Sequence, residues 1–338
     1  MMSSILACGL APLARIYAWG ARIWLARMDR NRTKLHIPVI SIGNIAMGGT
    51  GKSPMCRFLA ENLSAAGKLP VILSRGYKAR PRNLPHHVLS TDHPDICGDE
   101  PLMLCRALKG KAHIIVDPDR IRAARWAIKH LNPDLFILDD GFQHLKVARD
   151  MDIVLLTPHD LTKGWNKVVP LGMWREDEDA LKRADIFMVN LWGRDMTKVK
   201  KEVRLKAALD KRDIYYFDLH TTALRNLTTG AIRTDLSNQP YMLATGLANP
   251  EKVRHSLKKL LGYSCALHAP FKNHHQYNQA SIRKISELAQ KAKIRHIICT
   301  SKDAVKLKPI PGFNMWEAVT QMQIMENRHQ QFINRLIK

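Results

Sequence analysis

Several groups of residues in this chain could do phosphate chemistry together. Gly48, Gly49 and Gly51 stand in the run Gly48-Gly49-Thr50-Gly51-Lys52-Ser53. Glycines there let the backbone curl so that successive N–H groups point at one anion. Lys52 would reach the outer phosphates of a nucleotide, and the Ser53 hydroxyl would ligate Mg²⁺. Asp139-Asp140 offers a pair of carboxylates able to organise the same ion, although Asp-Asp-Gly also ends strands simply as a turn. Asp99, before Glu100 and Pro101, either caps a helix or accepts a proton from a substrate hydroxyl, and spacing does not choose between them. Arg75, Arg120 and Arg175 can each clamp phosphate oxygens or serve as surface charges.

The elements around these residues give them context. An apolar run, 37–42, precedes the glycine-rich stretch, and 52–65 carries apolar residues at helical spacing. Strand, glycine-rich turn and helix are the setting in which a phosphate-binding loop has meaning. The usual first glycine of such a loop is replaced by Ala46, with Gly43 three residues further back. Further strands are predicted at 70–73, 113–116, 135–138, 153–156 and 186–189, and helices at 100–108, 120–130 and 179–184. This alternation predicts an α/β fold: a P-loop NTPase-like parallel sheet with helices on both faces. A charged helical pattern over 198–213 leads to a second, smaller α/β unit, with strands at 215–219, 241–245, 265–270 and 296–299 and helices at 251–261 and 281–292. The expected division is 1–34, an N-terminal helix; 35–212, the phosphate-loop domain; 213–312, the second α/β domain; and 313–338, returning to the first.

The first 34 residues are rich in apolar and aromatic side chains, broken by Arg15 and Arg22 and ending in Arg27, Arg30, Arg32 and Lys34. The charge-free stretch stops at Ala14, short of the roughly 20 residues that a membrane span needs. The expectation is an amphipathic helix lying in a membrane interface, against the plainer alternative of a helix packed on the domain core. A net charge of +23 favours anionic partners: nucleic acid, an acidic membrane face or phosphorylated substrates. No nucleic-acid-binding module is recognisable, so no nucleic acid partner is expected. The six cysteines show no metal-like or paired spacing and read as free thiols.

Taken in order, the motifs resemble the tetraacyldisaccharide 4′-kinase family. The resemblance rests on Gly43-Asn44 followed by GGTGKSP at 48–54, SRGY at 74–77, GDEP at 98–101, Asp119-Arg120, DDGFQH at 139–144, WRE at 174–176, GLANPE at 246–251, the Phe271–His274 loop and 302–306. Asn273 and Ser301 stand where the family usually has Asp and Glu. The resemblance implies transfer of the ATP γ-phosphoryl group, with Mg²⁺, to the 4′-hydroxyl of a tetraacyldisaccharide 1-phosphate, giving lipid IV-A at the cytoplasmic face of the bacterial inner membrane. It implies ATP contacts at Gly48, Gly49, Thr50, Gly51, Lys52 and Ser53, and a metal set of Ser53, Glu100, Asp139, Asp140 and Gln143. Asp99 becomes the base, tuned by His274; Lys52, also catalytic, holds the phosphates and Mg²⁺ with Ser53, while Arg120 and Arg175 neutralise transferred charge. The implied partners are the acylated substrate and the membrane surface, with no protein partner. The alternative is a phosphate-loop kinase of a soluble metabolite, or a GTPase of metalloenzyme assembly. The guanine signal Asn-Lys-x-Asp is missing for the latter.

Overall fold

The computed structural model describes residues 4–247, 249–273 and 275–337. In chain order the elements are α1 (Ser4–Arg30), β1 (Val39–Asn44), α2 (Lys52–Ala65), β2 (Pro70–Ser74), β3 (His86–His87), α3 (Pro94–Cys97), α4 (Asp99–Leu108), β4 (His113–Val116), α5 (Arg120–Leu131), β5 (Leu135–Asp139), β6 (Met151–Leu156), α6 (Pro158–Leu161), β7 (Ile186–Asn190) and α7 (Met196–Arg204). There follow β8 (Asp213–Asn226), β9 (Ile232–Arg233), β10 (Tyr241–Thr245), α8 (Glu251–Leu261), β11 (Leu267–Pro270), α9 (Gln279–Lys291), β12 (His296–Thr300), α10 (Ser301–Ala304), β13 (Asn314–Ile324) and α11 (His329–Ile337).

Among the described residues the strands join in one sheet, ordered β11-β10-β12-β13-β8-β7-β6-β1-β5-β2-β4-β3, with β9 paired to β8. β1 is central and parallel to both neighbours, Ile42 standing opposite Asp139 of β5 and Ile153 of β6. Its six residues are all buried, as a strand covered on both faces requires. Met55, Leu59 and Leu63 of α2 pack on one face with Ile42 and Ile72. Ala123, Ala124 and Ala127 of α5 pack on the other with Val39 and Phe136. Because the strands run parallel, their carboxyl ends share one edge, where ligands of such sheets collect.

β8 and β13 are long antiparallel strands that run between the two halves of the sheet, their register shifting between Val319 and Thr320. β8 begins parallel to β7, with Asp213 opposite Ile186, and ends beside the strands of the second half. Arg225 and Glu317 pair across the two strands at 2.5 Å. α11 then brings Phe332 back onto the first half, its ring 5.0 Å from Tyr215 and 6.3 Å from Phe58 of α2.

Two stretches differ from the sequence reading. The pattern at 198–213 is not one helix: α7 ends at Arg204, a 3-10 turn covers Ala207–Leu209, and Asp213 already starts β8. The run Ile214-Tyr215-Tyr216-Phe217 pairs with β7 in strand register, so β-forming side chains and sheet pairing end the helix early. The helix expected at 179–184 is a 3-10 segment, Glu178–Arg183. Among the described residues no helix is long and apolar enough to cross a membrane.

α1 packs through small residues. Ala14 and Leu25 are buried and Ala18, Ala21 and Met28 half-buried, a single stripe at helical spacing. Apart from Leu25 and Met28 on that stripe, bulky residues from Leu13 onward face outward: Ile16, Tyr17, Ile23 and Leu13 are exposed, Trp19 by 67% and Trp24 by 57%. Arg22 fastens the helix to Asp177 at 2.5 Å and Asp179 at 2.9 Å.

Candidate active site

The loop between β1 and α2 has the backbone that its glycines allow. Gly48 and Gly51 adopt φ of 116° and 108°, a region costly for other residues, and Gly51 caps α2. The first N–H groups of α2 have no partner within the helix, and its positive dipole end faces the same space. Asn190 at the end of β7 donates to the Thr50 carbonyl at 3.1 Å, which steadies the loop from the neighbouring strand. The Thr50 hydroxyl is buried and meets no hydrogen-bond partner among the described residues. Lys52 donates to Asn44 Oδ1 at 3.0 Å and stands 3.5 Å from Asp140.

β5 delivers the acidic pair to the same edge. Asp139 ends the strand and accepts from Ser74 of β2 at 3.0 Å. Asp140 turns left-handed at φ 52°, which aspartate tolerates better than most residues, and lines the cleft beside Asp139. Burial and the charges of Glu100 and Asp140 push the Asp139 carboxyl well up from the usual carboxylate range. Burial also raises Asp140, but Lys52 and Arg175 overcome it and hold that carboxyl below its ordinary value. Glu100 at the start of α4 accepts a short hydrogen bond from the Ser53 hydroxyl. Burial works against its ionised form, yet Lys302, Ser53 and Lys52 pull it below the ordinary value.

Arg175 reaches this edge through backbone pairing. Ala46 bridges Trp174, Met47 donates to the Met173 carbonyl at 2.7 Å, and Arg175 donates to the Ile45 carbonyl at 2.8 Å. The segment before the glycines is therefore half of a small ladder, and Ala46 serves it where a first glycine was looked for. Arg175 contacts Asp140 and donates to Gln143 Oε1 at 3.0 Å. Gln143 in turn donates to the Asn44 carbonyl and to Glu176, both at 3.1 Å.

Lys52, Ser53, Asp99, Glu100, Asp139, Asp140 and Arg175 all line one cleft of about 1730 Å³ between the two halves, together with Gly48, Gly49, Thr50 and Gly51. Arg120 and Gln143 do not line it. Arg120 is buried behind the acids, donating to the carbonyls of Asp117, Pro118 and Asp139 at 3.3 to 3.4 Å. Burial draws its guanidinium down to about 10. His274 lies outside the described residues.

The second half adds residues that sequence reasoning left without a role. Lys302 stands 2.5 Å from Glu100, and Lys306 donates to Asp99 at 2.8 Å. Asn44, Asn190 and Glu176 support the loop, Lys52 and Arg175 from behind. Their signal was position: Asn44 and Asn190 each end an apolar strand, and Glu176 follows the arginine.

The residues at this edge fit a divalent cation held chiefly by a nucleotide. Among the described residues no group of three or more His, Cys, Asp or Glu could hold a metal ion on its own. Mg²⁺ is commonly bound through one or two carboxylates, substrate phosphates and water, and the Ser53 hydroxyl with Glu100, Asp139 and Asp140 offers oxygen donors of that kind along the cleft.

A buried parallel strand, a glycine-rich turn with its lysine at a helix N-terminus, and acids on the adjoining strand define a phosphate-loop nucleotide-binding α/β protein. The chain belongs to the tetraacyldisaccharide-1-P 4′-kinase family, whose sequence model matches residues 6–338. It is 36% identical over 311 residues to the tetraacyldisaccharide 4′-kinase of Nitratidesulfovibrio vulgaris strain Hildenborough, covering 91% of this chain and 86% of the relative. The enzyme of the same name from Oleidesulfovibrio alaskensis is 36% identical over 323 residues, covering 93% and 89%. The crystal structure of the "apo" form of LpxK from Aquifex aeolicus in complex with ATP superimposes with a TM-score of 0.76 at 25% identity, over 98% of this chain and 99% of that one.

Proposed function

We propose that the chain moves the γ-phosphoryl group of ATP, with Mg²⁺, to the 4′-hydroxyl of a tetraacyldisaccharide 1-phosphate, giving lipid IV-A at the cytoplasmic face of the inner membrane. The observation that carries this reading is convergence: Lys52, Ser53, Asp139, Asp140, Arg175 and Asp99 border one cleft. The loop amides from Gly48 to Ser53 would grip the phosphates, with Lys52 bridging the outer two. Ser53 and one or two of the carboxylates of Glu100, Asp139 and Asp140 would hold Mg²⁺ together with the nucleotide phosphates, and the ion when bound would offset phosphate charge. Gln143 serves by orienting Arg175, and Arg120 by fixing the end of β5, since both lie behind the cleft wall.

Asp99 at the N-terminus of α4 takes the proton as the sugar oxygen attacks phosphorus. The new O–P bond forms while the bond from γ-phosphorus to the β–γ bridging oxygen breaks, and its electron pair leaves with ADP. Lys52 and Arg175 are aimed where that negative charge spreads. The acylated acceptor stays in the bilayer, so the exposed aromatics of α1 and the basic end after it bring the cleft to the membrane.

The test is phosphate transfer from radiolabelled ATP, with Mg²⁺, to acylated and deacylated disaccharide 1-phosphate acceptors, using the parent protein and Asp99→Ala. Transfer to the acylated acceptor alone, lost in Asp99→Ala while ATP still binds, supports the reading. Equal use of the deacylated acceptor would make this a soluble-sugar kinase.

A further inference from the structure

Lys302 and Lys306 stand four residues apart on the turn formed by α10 and its continuation, where Lys306 and Leu307 donate back to the Asp303 carbonyl at 2.9 and 2.8 Å. Helical spacing puts both ammonium groups on one face. They meet the two acids that open α4: Lys302 meets Glu100, and Lys306 meets Asp99. The Lys306 side chain is 2% exposed and that of Asp99 10%, so this pair between the halves is almost wholly out of water. Desolvating two such charges cancels much of their attraction, so stability alone is a weak reason to keep them.

The turn that carries the lysines is itself held from behind. Asp303 is buried and accepts from the Thr300 hydroxyl at 2.6 Å, the Tyr277 hydroxyl at 2.9 Å and the Gly246 amide at 3.2 Å. Three segments of the second half thus converge on one carboxylate, and Lys306 projects from that support into the first half.

Resting on the reading of Asp99 as base, we propose that Lys306 is a positioning residue that orients the Asp99 carboxylate at the lip of the cleft. The half that does not carry the phosphate loop then sets the base in place, and Lys302 does the same for Glu100.

The full-length enzyme in detergent, with ATP and the acylated disaccharide acceptor, provides the test. Lys306→Met should lower kcat about 100-fold, the scale of a lost general base, with the Kd for ATP changed less than about threefold. Lys306→Arg should restore most of the rate. In an Asp99→Ala background, Lys306→Met should cost no more than about twofold further, because the group it positions is gone. A folded Lys306→Met with full turnover, or an equal loss in both backgrounds, overturns the proposal and leaves Asp99 as base. Turnover surviving in Asp99→Ala instead overturns the base reading and the proposal with it. If Lys306→Met does not fold, Lys306→Gln against Lys306→Arg decides: the arginine variant alone active supports positioning, and equal activity overturns it.

Discussion

Arg175 donates through one guanidinium nitrogen to both oxygens of the Asp140 carboxylate, at 3.2 Å each. Lys52 approaches the same carboxylate from the phosphate loop at 3.5 Å. Asp140 thus holds two cations at the edge where a γ-phosphate would arrive, and each is free to turn toward phosphate oxygens without leaving the other charge unpaired.

The first prediction concerns that arrangement. Arg175→Ala should lower kcat by about 10²- to 10³-fold, the usual loss for one preorganised donor, with a smaller effect on ATP binding. Arg175→Lys should recover only part, since one guanidinium nitrogen meets both Asp140 and Gln143 and leaves the other planar donors for phosphate, which a single ammonium does not offer. Steady-state kinetics with varied ATP check this. A raised KM for ATP at unchanged kcat would mean that Arg175 holds ground-state phosphate only.

Gly43 gives a stability prediction. A Cβ built there would stand 2.4 Å from the Phe142 Cβ and 2.7 Å from the Phe142 nitrogen. The strand and the turn after Asp140 can pass so closely only with glycine at this point. Gly43→Ala should therefore destabilise the fold by at least the ~1–3 kcal/mol of an overpacked core, read as a lower midpoint of denaturant unfolding. An unchanged midpoint would show that the turn moves aside at no cost.

Much of this architecture is legible in the residues themselves. The boundaries of α2 and α8 and the cores of the parallel strands follow from apolar runs and helical spacing, because a strand buried on both faces must be apolar throughout. The convergence of Lys52 with Asp139 is legible too, since parallel strands put their carboxyl ends on one edge. β13 is harder to read: Thr320, Gln321 and Gln323 interrupt its apolar pattern, because the part between the halves faces the cleft rather than a core. The partners of Asp99 and Arg175 are not legible at all. Lys306 lies 207 residues from Asp99 and Arg175 lies 35 from Asp140, and only tertiary closure brings them together.

Lys252 carries a prediction with a sign. Burial draws its ammonium down from 10.5 to about 8, with Asp218 partly opposing, where it lies over the Trp192 ring. A base depressed in the folded state contributes stability that is full above its unfolded value and lost as pH falls through its folded one. Between pH 10.5 and about 8 that contribution disappears, so at pH 7 the buried charge costs stability. Lys252→Met should be more stable than the parent at pH 7 without nucleotide, and the gap should close as pH rises from 8 toward 10.5. Denaturant unfolding across that range checks it, and a gap independent of pH would remove burial of the charge as the cause.

The outer face of α1 supports the last prediction. The helix turns its small residues inward and leaves Leu13, Ile16, Tyr17, Trp19, Ile23 and Trp24 exposed, a contiguous apolar surface of the kind that soluble monomers avoid. Its inner stripe and the Arg22 pairs fix it to the body, so the outer face can change without loosening the fold. Trp19→Glu together with Trp24→Glu should weaken partition onto vesicles containing anionic lipid by at least roughly tenfold, since each indole forfeits a hydrophobic contribution of about 1.5–3 kcal/mol when fully buried. Turnover of acceptor dispersed in detergent should stay near that of the parent, because neither residue borders the cleft. Sedimentation with vesicles and the detergent assay, run on the same preparations, separate the two effects. Unchanged vesicle binding would move the membrane contact to the basic surface elsewhere, whereas loss of detergent activity would mean that α1 supports the fold of the cleft rather than its approach to lipid.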